Sequence, residues 1–239
     1  MKKYIVITGG TSGVGLGVAK DLIKDDVNLI LVGRNPEKGK KIINELGDRA
    51  IFISGDLSNK EQVKIISDKI KETTDSLFAL ILCHGIFPNN SVENINNNFL
   101  SHYWLVNELK TILQGGSVEI VTGNPKAVND LPICENQNNN MEMLAWEVTH
   151  KTLLMTYLSN KLLSKNINVN SFFPGDIQSN LMDYTKGLSN KIVTVVSKIL
   201  FEDNNLSKTG EFFNFDGGMI KLNKKYNFQK AVNSINKYI

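Results

Sequence analysis

Short runs of apolar, often β-branched residues alternate along this chain with longer stretches in which apolar positions recur every three or four residues. The short runs predict strands at 4–8, 27–32, 50–54, 78–83, 117–122, 167–173 and 211–215. The longer stretches predict helices at 14–25, 36–46, 60–72, 92–113, 141–164 and 189–201. Several strand runs, such as Ile5-Val6-Ile7 and Leu29-Ile30-Leu31-Val32, are apolar at every position. Such a strand must be buried on both faces, which happens when helices cover both sides of a parallel sheet. The alternation therefore predicts an α/β fold: a doubly wound parallel sheet of about seven strands, with right-handed crossovers and a ligand crevice at the strands' C-terminal ends. No linker or repeat interrupts it, so residues 1–239 read as a single domain. The Asn-rich stretch 136–140 predicts a solvated loop.

Composition narrows this picture only a little. With 239 residues and 41% hydrophobic content, the chain can bury one full core. A net charge of +3 is too small to argue for nucleic acid or a membrane surface, and neither is an expected partner. Cys83 and Cys134 form no disulfide framework, which points to a reducing, cytoplasmic setting. The apolar run after Met1-Lys2-Lys3 is too short for a secretory signal, and no stretch is long enough to span a bilayer.

The chemistry begins at Thr8-Gly9-Gly10-Thr11-Ser12-Gly13-Val14-Gly15, between the first predicted strand and the first predicted helix. Glycines there let the backbone turn sharply and approach a pyrophosphate, whose charge meets the unpaired N–H groups of the helix start. The Thr-Gly-x-x-x-Gly-x-Gly spacing resembles that of the short-chain dehydrogenases/reductases, a family built on a Rossmann-type sheet. Further segments in the same order carry the likeness. Gly55-Asp56-Leu57-Ser58 follows the third strand, and Leu82-Cys83-His84-Gly85 ends the fourth. Pro174-Gly175-Asp176-Ile177-Gln178-Ser179 follows the sixth, and 210–218 resembles the family's closing signature. The resemblance implies a nicotinamide dinucleotide held by Gly9, Thr11, Ser12, Gly13, Val14, Gly15, Asp56, Leu57, Cys83, His84, Gly85, Pro174, Gly175, Ile177 and Ser179.

After the second strand comes Gly33-Arg34-Asn35-Pro36, where a fold that prefers NAD places an acidic side chain on the ribose 2′-hydroxyl. Arg34 can instead pair with a 2′-phosphate, so NADP(H) is expected over NAD(H), with Arg34 and Asn35 at its ribose. Cys83 and His84 are adjacent on a strand and point to opposite faces, so no metal site is expected.

The catalytic residues that the resemblance implies are a Tyr with a Lys four positions on, a Ser that polarises a carbonyl, and an Asn. Asn98, in Asn98-Phe99-Leu100-Ser101-His102-Tyr103, matches the Asn. At the end of the fifth strand, Val121-Thr122-Gly123-Asn124 offers Thr122 or Asn124 in place of the Ser. Tyr157 and Lys161 have the right spacing but lie only thirteen residues before Pro174, too close for a helix that must first cross the sheet, and read as ordinary helix residues. Tyr226 and Lys230 lie beyond the last strand. Three registers of the long helix put Leu144 and Val148, Glu147 and Lys151, or Trp146 and His150 at the Tyr and Lys positions. Glu147 and Lys151 read as a helix ion pair. His150 is then the substitute acid and Lys151 the substitute ribose anchor. The expected function is an NADP(H)-dependent oxidoreductase acting on a carbonyl/alcohol pair of a small-molecule substrate with altered acid–base residues. The alternative is a non-catalytic NADP(H)-binding protein acting as sensor, scaffold or partner subunit.

The stretch from Gly85 to Asn98 is short for the family, in which the neighbouring helices pair subunits; this argues against the usual tetramer and for, at most, a homodimer built through other contacts. Beyond Gly218, residues 219–239 form an extension in which Phe228, Val232, Ile235 and Ile239 make one helical stripe. That stripe can pack on its own domain, on a second subunit or over the substrate. A chain ending at Leu222 is expected to fold yet lose any oligomer.

Overall fold

The computed structural model describes residues 2–239. Its elements run β1 (Lys3–Thr8), α1 (Gly13–Leu22), β2 (Val27–Gly33), α2 (Pro36–Leu46), β3 (Ala50–Ser54), α3 (Lys60–Thr73) and β4 (Ala79–Leu82). Next come α4 (Ser91–Ile95), a π-helical turn (Asn96–Leu100), α5 (Ser101–Leu109), β5 (Ser117–Val121), α6 (Pro125–Asp130) and α7 (Asn140–Lys161). The chain continues through β6 (Asn168–Phe172), α8 (Asp183–Lys186), α9 (Val195–Phe201), β7 (Phe212–Phe213), β8 (Met219–Ile220) and α10 (Phe228–Ile235).

The strands form one eight-stranded sheet in the order β3-β2-β1-β4-β5-β6-β7-β8. All pairings are parallel except β7 with β8, a short antiparallel strand that the sequence pattern did not reveal. β8 has only two residues, half of them exposed, so it carries no apolar run to read.

Successive side chains of a strand go to opposite faces, and the core divides accordingly. Val6, Ile30, Leu80, Leu82, Val118 and Val169 pack with residues of α3, α5, α7 and α10. Ile5, Ile7, Leu29, Leu31, Ile81 and Phe172 pack with α1, α2 and α9. The chain winds one way from β1 to β3 and the other way from β4 onward. The reversal falls between β1 and β4, and the loops that follow these two strands diverge there to leave a crevice.

Asn side chains cap many of these helices. Asn35, Asn59, Asn90, Asn124, Asn139 and Asn227 each accept a hydrogen bond from a first-turn N–H. The Asn-rich stretch is thus partly structural, since Asn139 starts α7 and Asn140 is its first residue. The extension packs on its own chain: Ala231, Ser234 and Ile235 are buried, and α10 lies along α7.

Candidate active-site cleft

One cavity of about 830 Å³ opens over the C-terminal ends of β1, β2, β4, β5 and β6. Its floor at β1 is the glycine loop. Gly9 and Gly13 have φ of 65° and 52°, the left-handed region that favours glycine. A Cβ on Gly15 would lie 2.5 Å from the carbonyl oxygen of Gly9, so the loop closes only around a bare Cα there. Ser12 stands at the N-cap of α1 but makes no side-chain bond to the helix. Unlike the Asn-capped helices, α1 therefore begins without a side-chain cap on its first-turn N–H groups, and Gly13 and Val14 border the cavity. This is an opening for an anion at a helix start.

Arg34, Lys38, Asp56 and Leu57 line the same end of the cavity, after β2 and β3. Lys38 was not singled out from the sequence, although its place one turn into a helix that begins at Pro36 was visible. Asn35 does not line the cavity; its side chain caps α2 by accepting from the Lys38 N–H at 2.9 Å. Gly15 lies behind the loop, and its part is the close approach to Gly9. Gly9, Thr11, Ser12, Cys83, His84, Gly85, Pro174, Gly175, Ile177 and Ser179 all border the cavity.

His84 ties the end of β4 to its surroundings. Its Nδ1 lies 2.7 Å from Thr8 Oγ1 and its Nε2 2.7 Å from Ser101 Oγ. Ser101 donates its own proton to the Asn97 carbonyl, so Nε2 donates to Ser101; on a neutral ring Nδ1 then takes the Thr8 hydroxyl proton, for which the Ile81 carbonyl at 3.3 Å competes. Desolvation, helped by the charges of Lys151 and Arg34, pushes His84 down to about 3, which keeps that neutral form. The His84 ring stacks on His102 at 4.2 Å.

The middle of the cavity is bordered by α7. Glu147 and Lys151 line it one turn apart, with Lys151 Nζ 2.7 Å from Glu147 Oε1 and side-chain exposures of 5% and 13% for Lys151 and Glu147. Asn98, buried in the π-helical turn, donates from Nδ2 to Glu147 Oε2 at 3.2 Å, and its Oδ1 accepts from the Ile86 N–H at 2.9 Å. Asn98 therefore acts behind the wall, orienting Glu147 and the segment after β4. Turns of this wider type recur at functional sites.

His150, the acid expected from the sequence, is turned away. Leu144, Glu147, Val148 and Lys151 share the cavity face of α7 through their three- and four-residue spacing, and this rotates Trp146 and His150 toward the core. The His150 ring stacks on Trp146 at 4.1 Å, Nδ1 lies 3.0 Å from the Trp146 carbonyl, and buried Nε2 has no partner. Burial pushes it down to about 4. The sequence could not choose among the helix registers; the structure places the Glu147–Lys151 pair at the cleft, with Leu144 and Val148 beside it.

Thr122 lines the cavity, but its hydroxyl is 3.5 Å from the Val148 carbonyl, a long contact directed at backbone. Asn124 Oδ1 is taken by the cap of α6. A Cβ on Gly123 would lie 2.9 Å from Val148 Cγ2, so the valine fills the space a larger residue at 123 would need. Tyr157 and Lys161 lie away from the cavity, with Tyr157 stacked on Phe228 of α10. Among the described residues no group of three or more His, Cys, Asp or Glu could hold a metal, and no helix is long and apolar enough to cross a membrane.

This geometry has counterparts. A 3beta-hydroxysteroid dehydrogenase of Mediterraneibacter gnavus is 32% identical over 101 residues, 41% of this chain but only 37% of that protein. The chain thus spans well under two thirds of that relative. A 3-oxoacyl-acyl-carrier-protein reductase of Buchnera aphidicola is 26% identical over 91% of this chain and 97% of its own length. Among solved structures, the NADPH-bound carbonyl reductase from chicken fatty liver superposes with a TM-score of 0.75 over 92% of this chain and 98% of that one; at 14% identity this is a likeness of fold. The short chain dehydrogenase family model matches residues 3–122, half of the chain and the part that holds the glycine loop, Arg34, Asp56, His84 and Asn98. With the sheet order and the cleft, that match makes this chain a member of the short-chain dehydrogenase family.

Proposed function

We propose that this protein is an NADP(H)-dependent oxidoreductase that interconverts a carbonyl and an alcohol, with Glu147 and Lys151 as its acid–base pair. The observation that carries this reading is the continuity of a single cavity. It runs from two cationic side chains, Arg34 and Lys38, past an uncapped helix start to a carboxylate and an ammonium held together inside the protein. Arg34 and Lys38 suit a ribose 2′-phosphate, and the two residues directly after β2, Arg34 and Asn35, bring no carboxylate to repel it. The first-turn N–H groups of α1 suit the pyrophosphate, and Ser179 brings a hydroxyl to the nicotinamide end. Bound there, the nicotinamide supplies hydride chemistry.

Proton traffic falls to this chain's own residues. In the oxidation direction the Glu147 carboxylate accepts the alcohol's hydroxyl proton as hydride leaves the carbon; in reduction the same carboxyl returns the proton to the carbonyl oxygen. Lys151 holds one oxygen of Glu147 through a 2.7 Å hydrogen bond, and Asn98 orients the other. The second reading, a non-catalytic NADP(H)-binding protein, is favoured by Thr122, whose hydroxyl is directed at the Val148 carbonyl and not at a substrate oxygen.

Fluorescence titration with NADPH and NADH tests the cofactor half of the proposal. NADPH should bind more tightly, and Arg34→Ala with Lys38→Ala should weaken NADPH by roughly tenfold or more while leaving NADH nearly unchanged. Oxidation of NADPH with a panel of ketones and aldehydes tests the chemistry. Glu147→Gln should cut kcat by about 100-fold or more with nucleotide affinity intact. Tight NADPH binding with no turnover on any carbonyl would favour the non-catalytic reading.

A further inference from the structure

Beyond Glu147 and Lys151 the cavity changes character. Charge on its walls is confined to Arg34, Lys38 and Asp56 at one end, to Glu147 and Lys151 in the middle, and to Asp176 after β6. The segment after β4, α6 with the residue that follows it, and the first turns of α7 contribute no charged side chain to the wall. Leu131, Leu144 and Val148 form the inner part of this region, and Val148 also occupies the space beside Gly123.

The rim continues in the same chemistry, against the usual rule for exposed positions. Phe87, Met141, Leu181 and Tyr184 border the cavity with 40%, 74%, 41% and 66% of their surface open to solvent. Four large apolar side chains thus stand exposed around one opening, and exposed apolar surface gathered at a cavity marks a binding function. They lie on three separate segments, after β4, at the start of α7 and around α8, so no single helix stripe explains them.

Length follows from the helix. Met141 and Lys151 lie on the same wall of α7, and a rise of 1.5 Å per residue separates them by about 15 Å, room for an alkyl chain of roughly ten carbons or a few fused rings. A short polar substrate would leave this surface bare. A substrate with a remote carboxylate or phosphate would place that charge against apolar walls with no partner.

We infer that the substrate is a ketone or secondary alcohol with an extended, uncharged hydrocarbon body. Its oxygen lies toward Glu147 and Lys151, and its body lies along Leu144, Val148 and Leu131 to the rim at Phe87, Met141 and Tyr184. The inference rests on the oxidoreductase reading for the orientation of the oxygen, but not for the apolar binding.

The test is a homologous series of straight-chain methyl ketones and their ω-carboxylates, titrated calorimetrically into the protein with and without saturating NADP⁺, a state in which a ketone cannot be reduced. Affinity should rise about fourfold per added methylene until the rim is reached, and each ω-carboxylate should bind at least about tenfold more weakly than its parent. Leu144→Asp, at a half-buried position, should flatten the length dependence. Length-independent binding, or carboxylates that bind as well as their parents, would overturn the inference on the unmodified protein, whatever the variant does. NADPH oxidation by the same ketones is read separately. Steep length dependence without oxidation removes the oxidoreductase reading and leaves the apolar site; oxidation with only short or charged carbonyls does the reverse.

Discussion

Lys151 shows what a single residue must balance in this cleft. An ammonium with 5% of its side chain exposed has lost most of its water, and Glu147 at 2.7 Å replaces that solvation. Taking away one member of such a pair strands the other, which typically costs about 3–5 kcal/mol, whereas replacing both by neutral groups of similar size costs little. Because the Glu147 side chain keeps 13% of its surface exposed, the lower end of that range applies. Lys151→Met should destabilise the protein by about 3 kcal/mol in urea unfolding, and Glu147→Gln combined with Lys151→Met should recover most of it. A Lys151→Met variant as stable as its parent would mean that the pair is solvated and not structural. Loss of NADPH turnover in the double variant, despite recovered stability, would separate the chemical part of the pair from its packing part.

At the scale of elements, α10 behaves unlike an appendage. Ile235 is fully buried, Tyr226 donates its hydroxyl to the Val128 carbonyl at 2.6 Å, and Tyr238 lies 3.3 Å from Trp146 Nε1. Burying an Ile contributes about 1.5–3 kcal/mol on its own. Truncation after Leu222 should therefore destabilise the whole chain and shift the Trp146 fluorescence to the red, contrary to the expectation that the shortened chain folds and loses only an oligomer. An unchanged melting temperature would show that α10 contributes nothing to the core.

The elements most legible in the sequence were those with strong periodicity or all-apolar runs. β1 to β5, α1 to α3 and the long helix α7 lie within a few residues of their predicted bounds. Shorter pieces escaped. α6 has six residues in a stretch with no predicted element, and the predicted helix at 189–201 begins only at Val195. The glycine loop was legible because its spacing records a backbone constraint. The place of the Glu147–Lys151 pair at the cleft was not, because a helix residue reveals its neighbours three and four positions away but not which face the sheet will cover. His150 and Lys151 look alike in the sequence. They differ only in that residues sharing Glu147's face meet the cleft and those sharing Trp146's face meet the core.

Across the whole molecule, three buried titratable groups and the half-buried His84 set opposing pH dependences. All three histidines of the chain are held below their ordinary 6.5, chiefly by burial: His84 to about 3, His150 to about 4, and His102 well below. A depressed histidine contributes stability above 6.5, which is lost as pH falls toward the folded value, because the unfolded chain takes up the proton first. Glu119, buried in the middle of β5 with its Oε2 unpartnered, is shifted the other way, from 4.5 up to about 8 by desolvation. Its contribution is present at low pH and is lost as pH rises toward 8. With three protons working on one side and one on the other, stability should peak near about pH 7. Glu119→Gln keeps the oxygen that accepts from Ser117 and Asn170 and should remove the decline above that peak. Thermal unfolding measured from pH 5 to pH 9 checks both limbs, and a Glu119→Gln protein that still weakens above the peak would assign that limb to other groups.

The contact between Trp146 and Tyr238 spans 92 positions of sequence, and it closes the back of the helix whose front carries Glu147 and Lys151. On a ribosome this imposes an order of events. Strands β1 to β5 pair only with one another and with β6, so the nucleotide-binding half can assemble while α10 is still being made. α7 emerges with Trp146 and His150 uncovered and waits for α10 to arrive. A nascent chain stalled after Ser179 and before α10 would present the glycine loop and Arg34 beside an α7 not yet covered by α10, so a nucleotide would meet its cleft before Glu147 and Lys151 are fixed in place.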